Sequence, residues 1–104
     1  MTVEALTADG YKILTVSAAG PASAVTVSAG GAANVDLSVG AHEASRILSI
    51  LGLKSVSGLP DGAVLQSVSF PNLSTVRLRV FNPTTSDITV SADSVSAEIL
   101  VKAV

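Results

Sequence analysis

The sequence predicts an all-β fold, an antiparallel β-sandwich of jelly-roll-like type with about seven to eight short strands. Three observations predict it. Apolar and polar residues alternate with a period of two along most of the chain. Glycine, proline and asparagine signals interrupt this alternation at short intervals. A chain of 104 residues also has room for one domain. Many short strands separated by regular turns are typical of sandwiches and jelly rolls.

The strands are predicted from the alternation in chain order. The clearest one is 76–80, where Arg77 and Arg79 face away from three aliphatic residues. In 64–70 the same period places Val64, Gln66, Val68 and Phe70 on one face. The predicted strands are centred on 13–17, 25–27, 35–39, 64–70, 76–80, 88–90 and 97–103.

The turns between these strands are predicted from residues that accept a positive φ or that interrupt a hydrogen-bond ladder. In chain order they are Gly20-Pro21, Gly30-Gly31, the glycine- and proline-containing segment 58–62, Pro71-Asn72 and Asn82-Pro83.

Residues 43–52 fit two structures. Ala44, Ile47, Leu48 and Leu51 have helical spacing, and Gly52 suits a helix C-cap. The same segment also fits an apolar strand that enters a glycine turn. We favour the strand because strands surround it.

The chain divides into an N-terminal arm, residues 1–12, and a β-sandwich domain, residues 13–104. The arm precedes the first strong strand signal, and neither a repeat nor a linker interrupts the domain. The first 20 residues lack the apolar run of a signal peptide, and the longest apolar stretch, 47–53, is far shorter than a membrane span. We therefore predict no membrane association.

Composition excludes several classes of protein. Charged residues make up 13% of the chain, about half the usual share, while apolar residues reach 48%. That balance excludes a disordered tail, and the absence of cysteine excludes a disulfide scaffold. The net charge of −2 and the three scattered aromatics argue against nucleic-acid binding. A weakly charged exterior rich in serine and threonine suits contact with another protein, because few charges need desolvation.

Motifs that carry chemistry are missing from the sequence, so we predict a non-enzymatic protein. His42 is the single histidine and falls in a predicted loop, which leaves no set of ligands for zinc. Asp87 and Asp93 flank a predicted strand without the spacing of a calcium loop. Gly30-Gly31 lacks the lysine and third glycine of a phosphate loop. We expect no catalytic residue, no metal and no cofactor.

The segment 52–83 resembles a small β-sandwich module of structural proteins in tailed bacteriophages. The matching features are the turn Leu59-Pro60-Asp61-Gly62, the step Val68-Ser69, the strand 75–82 and Ile88, and the likeness extends over about residues 30–104. Gly52-Leu53-Lys54 departs from the Gly-Asp step that is common in the module. The resemblance implies a component of the virion and no catalytic residue.

On this resemblance we expect a capsid decoration (cement) protein on the outer surface of a phage head, which it stabilises. Its partner would be the major capsid protein, and analogy suggests a homotrimer. Attachment through a repeated, multivalent contact would need only modest individual contacts. The candidate interface residues are Thr2, Val3, Glu4, Leu6 and Tyr11 in the arm, with Arg77 and Arg79 on one strand face.

Two alternatives remain. The first concerns function: the chain would be a receptor- or carbohydrate-recognition domain of a tail fibre or adhesin, although glycan sites favour aromatic platforms, which are scarce here. The second concerns Arg77 and Arg79, which would lie on a solvated face or form cross-strand salt bridges instead of touching a partner.

Overall fold

The computed structural model describes residues 4–6 and 11–104 and confirms the predicted all-β antiparallel fold. The strands are β1 (Glu4–Leu6), β2 (Lys12–Gly20), β3 (Val25–Val27), β4 (Ala32–Val39), β5 (Ile47–Ser57), β6 (Val64–Asn72), β7 (Thr75–Phe81), β8 (Ile88–Val90) and β9 (Val95–Ala103), and the short helix α1 (Ala41–Ala44) lies between β4 and β5.

The main sheet consists of two halves that meet at a narrow junction. The strands follow the order β5-β9-β2-β4-β7-β6, and β1 pairs with β2. We call β5, β9 and β2 the β9 half, and β4, β7 and β6 the β7 half. The halves join through two register pairs of β2 and β4, Ala18 with Val39 and Ala19 with Ser38. Because β4 pairs with the end of β2, the halves are offset lengthwise, and the molecule measures 51 × 22 × 21 Å.

The core combines the apolar faces of both halves. The alternation predicted for β2, β4, β7 and β9 is confirmed, since every second residue is buried from Leu14, Val35, Val76 and Val95 onward. Thr15 of β2 is buried as well. The β9 half contributes Leu14, Val16, Ala18, Ile47, Val95, Ala97, Ile99, Val101 and Ala103, and the β7 half contributes Val35, Leu37, Val39, Val76, Leu78 and Val80. The two-stranded sheet of β3 and β8 adds Val27 and Val90 to the same cluster.

Asn82, directly after β7, is fully buried and ties three segments together. Its Nδ2 donates to the carbonyl oxygens of Val27 (2.9 Å) and Ser86 (2.8 Å). Its Oδ1 accepts from the backbone nitrogen (2.9 Å) and the Oγ1 (2.6 Å) of Thr84. The end of β7 is thereby fixed to β3 and to the loop that leads to β8.

The face predicted for β6 is wrong in its first half. A β-bulge between Leu65 and Ser67 leaves Gln66 without a register partner. One extra residue reverses the alternation. Leu65 therefore packs against the core on the same side as Val68 and Phe70, whereas Val64 and Gln66 are exposed.

Residues 43–52 form a strand, as we favoured, but a single helical turn precedes it. α1 ends at Ala44, and β5 begins at Ile47. Register shifts against β9 recur three times along β5, and the residues left without a register partner are Leu48, Leu51 and Lys54. Each shift adds one residue, so every third residue of β5 contacts the core, namely Ile47, Ile50, Leu53 and Val56.

The predicted arm is described in part. Glu4–Leu6 forms β1, in antiparallel register with Lys12–Leu14 of β2, and Lys12 itself belongs to β2. β1 thus pairs with the part of the β2 edge that β4 does not reach. The candidates Thr2 and Val3 lie outside the described residues.

Candidate interaction surfaces

The outer face of the β7 half carries both candidate arginines. Arg77 forms a bidentate pair with Asp36 on β4: Nε donates to Oδ1 at 2.9 Å, and Nη2 donates to Oδ2 at 3.1 Å. Arg79 donates from Nη1 to Oδ1 of Asn34 at 3.1 Å. The β4–β7 register places Asp36 opposite Arg77 and Asn34 opposite Arg79. Arg77 therefore forms a cross-strand salt bridge, whereas Arg79 makes a cross-strand hydrogen bond to a neutral side-chain amide.

The bidentate pair shifts the titration of both groups. Because Arg77 donates hydrogen bonds to the carboxylate, the pKa of Asp36 lies below its usual value, and partial desolvation opposes this effect. The same contact raises the pKa of Arg77. Both side chains remain accessible, at 40% for Arg77 and 45% for Asp36. Bidentate pairing fixes the orientation of the guanidinium but leaves this face open to solvent.

Tyr11 lies apart from the arginines. It immediately precedes β2, and its ring lies 4.5 Å from the Nζ of Lys102, a residue of β9. This distance is within the range of a cation–π contact. Tyr11 and Lys102 belong to the β9 half, whereas Arg77 and Arg79 lie on β7. The structure therefore does not bring these candidates into one site. For Glu4 and Leu6 it describes the backbone pairing of β1 with β2.

Two edge strands, β5 and β6, line an apolar groove that was not predicted from the sequence. Its walls are Leu48, Ser49 and Ile50 of β5 with Phe70, Asn72 and Leu73 of the β6–β7 segment, and its volume is about 290 Å³. Leu48 is 45% exposed, and Leu73 is 43% exposed. The i, i+3 spacing of leucines in 48–51 was visible in the sequence but equally suited a helix.

The residues considered for chemistry are dispersed. His42 lies on α1 and is exposed, which corrects the predicted loop. Asp87 accepts a hydrogen bond from the backbone nitrogen of Ala29 (3.0 Å), and Asp93 has a φ of 56° in a turn. Within residues 4–6 and 11–104, no group of three or more histidine, cysteine or acidic side chains is placed to hold a metal ion. In the same part of the chain, no helix has the length and hydrophobicity needed to span a membrane.

Comparison with known proteins adds no relative. No family model matches the chain, and neither a curated protein nor a solved structure is significantly similar to it.

Proposed function

We propose that this chain is a non-enzymatic structural protein of a phage virion, a decoration protein that binds the major capsid protein on the outside of the head. The proposal starts from the resemblance of residues 52–83 to phage structural modules. In this setting the chain would act as a homo-oligomer, a trimer by analogy, and would stabilise the head by bridging neighbouring capsid subunits.

The observation that carries the proposal is that several charged side chains on the described surface are paired with one another. Ion pairs join Arg77 to Asp36 (2.9 Å), Lys54 to Glu98 (3.8 Å) and Arg46 to Glu43 (3.9 Å). The uncharged exposed positions of the strands are most often serine or threonine. Docking such a surface requires little desolvation of isolated charges, which favours broad protein–protein contact.

The test is cosedimentation with heads of the phage whose genome encodes the chain, after their outer proteins have been stripped. Far-UV circular dichroism first establishes that the recombinant protein is folded. We expect saturable binding, with a stoichiometry set by the symmetry of the head. A folded protein that stays in the supernatant at every concentration would refute the proposal. A protein recovered with tails, or one that gives a clear hit on a glycan array, would favour the recognition domain of a tail fibre.

The contribution of the Arg77 and Arg79 strand face to head binding is tested with Arg79→Ala in the same cosedimentation assay. Arg79 makes one hydrogen bond, to the neutral side-chain amide of Asn34, so loss of the arginine side chain changes the surface more than the fold. Thr26→Ala on β3 is the matched control because it also truncates an exposed strand residue. We expect weaker head binding for Arg79→Ala alone. Equal binding by both variants would remove this face from the contact.

A further inference from the structure

β5 forms one edge of the main sheet, and within residues 4–6 and 11–104 no strand pairs with its outer side. An edge strand exposes backbone N–H and C=O groups on which a strand of another molecule can pair. Charged side chains are one common protection against such pairing. In β5, residues Ile47–Ser57, the only charged residue is Lys54. Charge alone therefore protects this edge weakly.

Three extra residues interrupt the register between β5 and β9 at equal intervals. Leu48, Leu51 and Lys54 have no register partner on β9, and two paired residues separate each of them from the next. All three are exposed, Leu48 by 45%, Leu51 by 55% and the side chain of Lys54 by 49%. Apart from the ion pair of Lys54 with Glu98, they add neither core packing nor a position in the ladder.

Without the three extra residues, the sequence of β5 is that of an ordinary strand. Its apolar residues Ile47, Ile50, Leu53 and Val56 then alternate with Ser49, Gly52, Ser55 and Ser57. The partners of these residues on β9 are the consecutive residues 96–103. The core face of β5 and its pairing with β9 therefore do not require the extra residues. What the extra residues change is the repeat of the β5 backbone.

The changed repeat makes the outer edge of β5 a poor template for another strand. In a regular antiparallel strand, the hydrogen-bonding groups that face one side recur every two residues. In β5 the repeat is three residues as far as Val56. An added strand of regular geometry would therefore lose its register at each extra residue. Bulges also increase the local twist, which turns the edge away from an approaching strand.

The strand at the other end of the sheet is interrupted as well. Register shifts between β6 and β7 leave Gln66, Phe70 and Pro71 without partners. Pro71 also lacks the N–H that an added strand would need. By contrast, the register is continuous between β9 and β2 and between β4 and β7. The interruptions thus lie in the two terminal strands of the sheet.

We infer that the three extra residues of β5 are a built-in block against strand addition, which keeps copies of this chain from joining through their sheet edges. The block acts through the backbone, because the extra residues break the two-residue repeat whatever their side chains. It goes beyond the proposed function and does not depend on it, since a monomer and an oligomer alike would keep this edge unpaired.

Deletion of Leu48, Leu51 and Lys54 together tests the inference. Sedimentation velocity over a range of concentrations measures the mass, and hydrogen exchange followed by mass spectrometry measures protection of the β5 amides. We expect the deletion variant to form a species of at least twice the wild-type mass, with slower exchange in β5, because two regular edges can pair symmetrically. The deletion also removes two exposed leucines, so apolar contact alone would predict less association.

The matched control keeps the extra residues and changes their side chains, by combining Leu48→Ser, Leu51→Ser and Lys54→Ser. Because the backbone repeat of three remains, we expect this variant to match the wild type in mass and in β5 exchange. Far-UV circular dichroism establishes that each variant is folded.

Two results would overturn the inference. They are a folded deletion variant that keeps the wild-type mass, and a control variant that associates as the deletion variant does. If the triple deletion does not fold, deletion of Leu51 alone decides, because it leaves four consecutive register pairs with residues 99–102 of β9. That variant should also exceed the wild-type mass, and a wild-type mass would overturn the inference equally. Neither measurement involves phage heads, so the outcome is separate from that of the proposed function.

Discussion

Replacing Asn82 by alanine removes the most connected polar side chain of the core. The substitution eliminates two donated and two accepted hydrogen bonds in a fully buried position. Each such bond contributes about 1 kcal/mol net, and a buried carbonyl that loses its donor costs about 1–3 kcal/mol. The Val27 carbonyl is the group left without that donor. We therefore expect Asn82→Ala to lower the free energy of unfolding by about 3–5 kcal/mol.

Asn72 provides a matched control for this prediction. Its Oδ1 also accepts from the backbone nitrogen and the side-chain oxygen two residues later, both at 2.9 Å from Ser74, but in an exposed turn. Asn72→Ala should cost about 1 kcal/mol or less, because water replaces the lost partners. Urea unfolding followed by far-UV circular dichroism measures both variants. At a slope of about 1–3 kcal/mol per molar urea, Asn82→Ala should shift the midpoint by at least about 1 M. Equal midpoints for the two variants would refute the reasoning.

Two further predictions concern a glycine and an ion pair. Gly58→Ala should destabilise the protein by about 2–4 kcal/mol, since the new Cβ would overlap the Ser94 carbonyl oxygen and the residue has a φ of +91°. Gly40→Ala, which meets no atom within 4 Å at a φ of −57°, should leave the thermal midpoint unchanged or slightly higher. The pKa of Asp36 is lowered in the folded protein, so its ionised form stabilises the fold. This stabilisation is fully present above the unfolded pKa of about 3.9 and is lost as the pH falls through the folded pKa. Asp36→Asn should therefore shrink the difference between unfolding midpoints at pH 7 and about pH 3, and an unchanged difference would show that its bond to Arg77 contributes nothing.

The period-two pattern predicted the strands that form the centre of the sandwich. Leu14, Val35 and Leu78 lie on faces that the alternation identifies, because regular pairing preserves the alternation from one end of a strand to the other. The partner of Arg77 could not be predicted, since it depends on the register between β4 and β7, which lie about 40 residues apart in the chain.

The edge strands could not be predicted from alternation because they contain bulges. In β5, three register shifts convert the period of two into a period of three. Ile47, Ile50 and Leu53 on the core side therefore have the spacing of a helix although they lie on a strand. The apolar groove could not be predicted for the same reason, since residues of the bulged strand β5 and of the β6–β7 segment line it.

The central position of β9 in its half determines when that half can form. The tight turn between β6 and β7 closes with Asn72 paired to Thr75. The pairing of Ala103 on β9 with Lys12 on β2 instead joins residues about 90 positions apart in the chain. On loop-closure entropy alone, the longer closure costs about 3 kcal/mol more. During synthesis β9 is also made after the other eight described strands. We therefore expect the β6–β7 hairpin to form first. Until β9 is inserted between them, β2 and β5 expose their apolar faces, which is when the nascent chain is most vulnerable to aggregation.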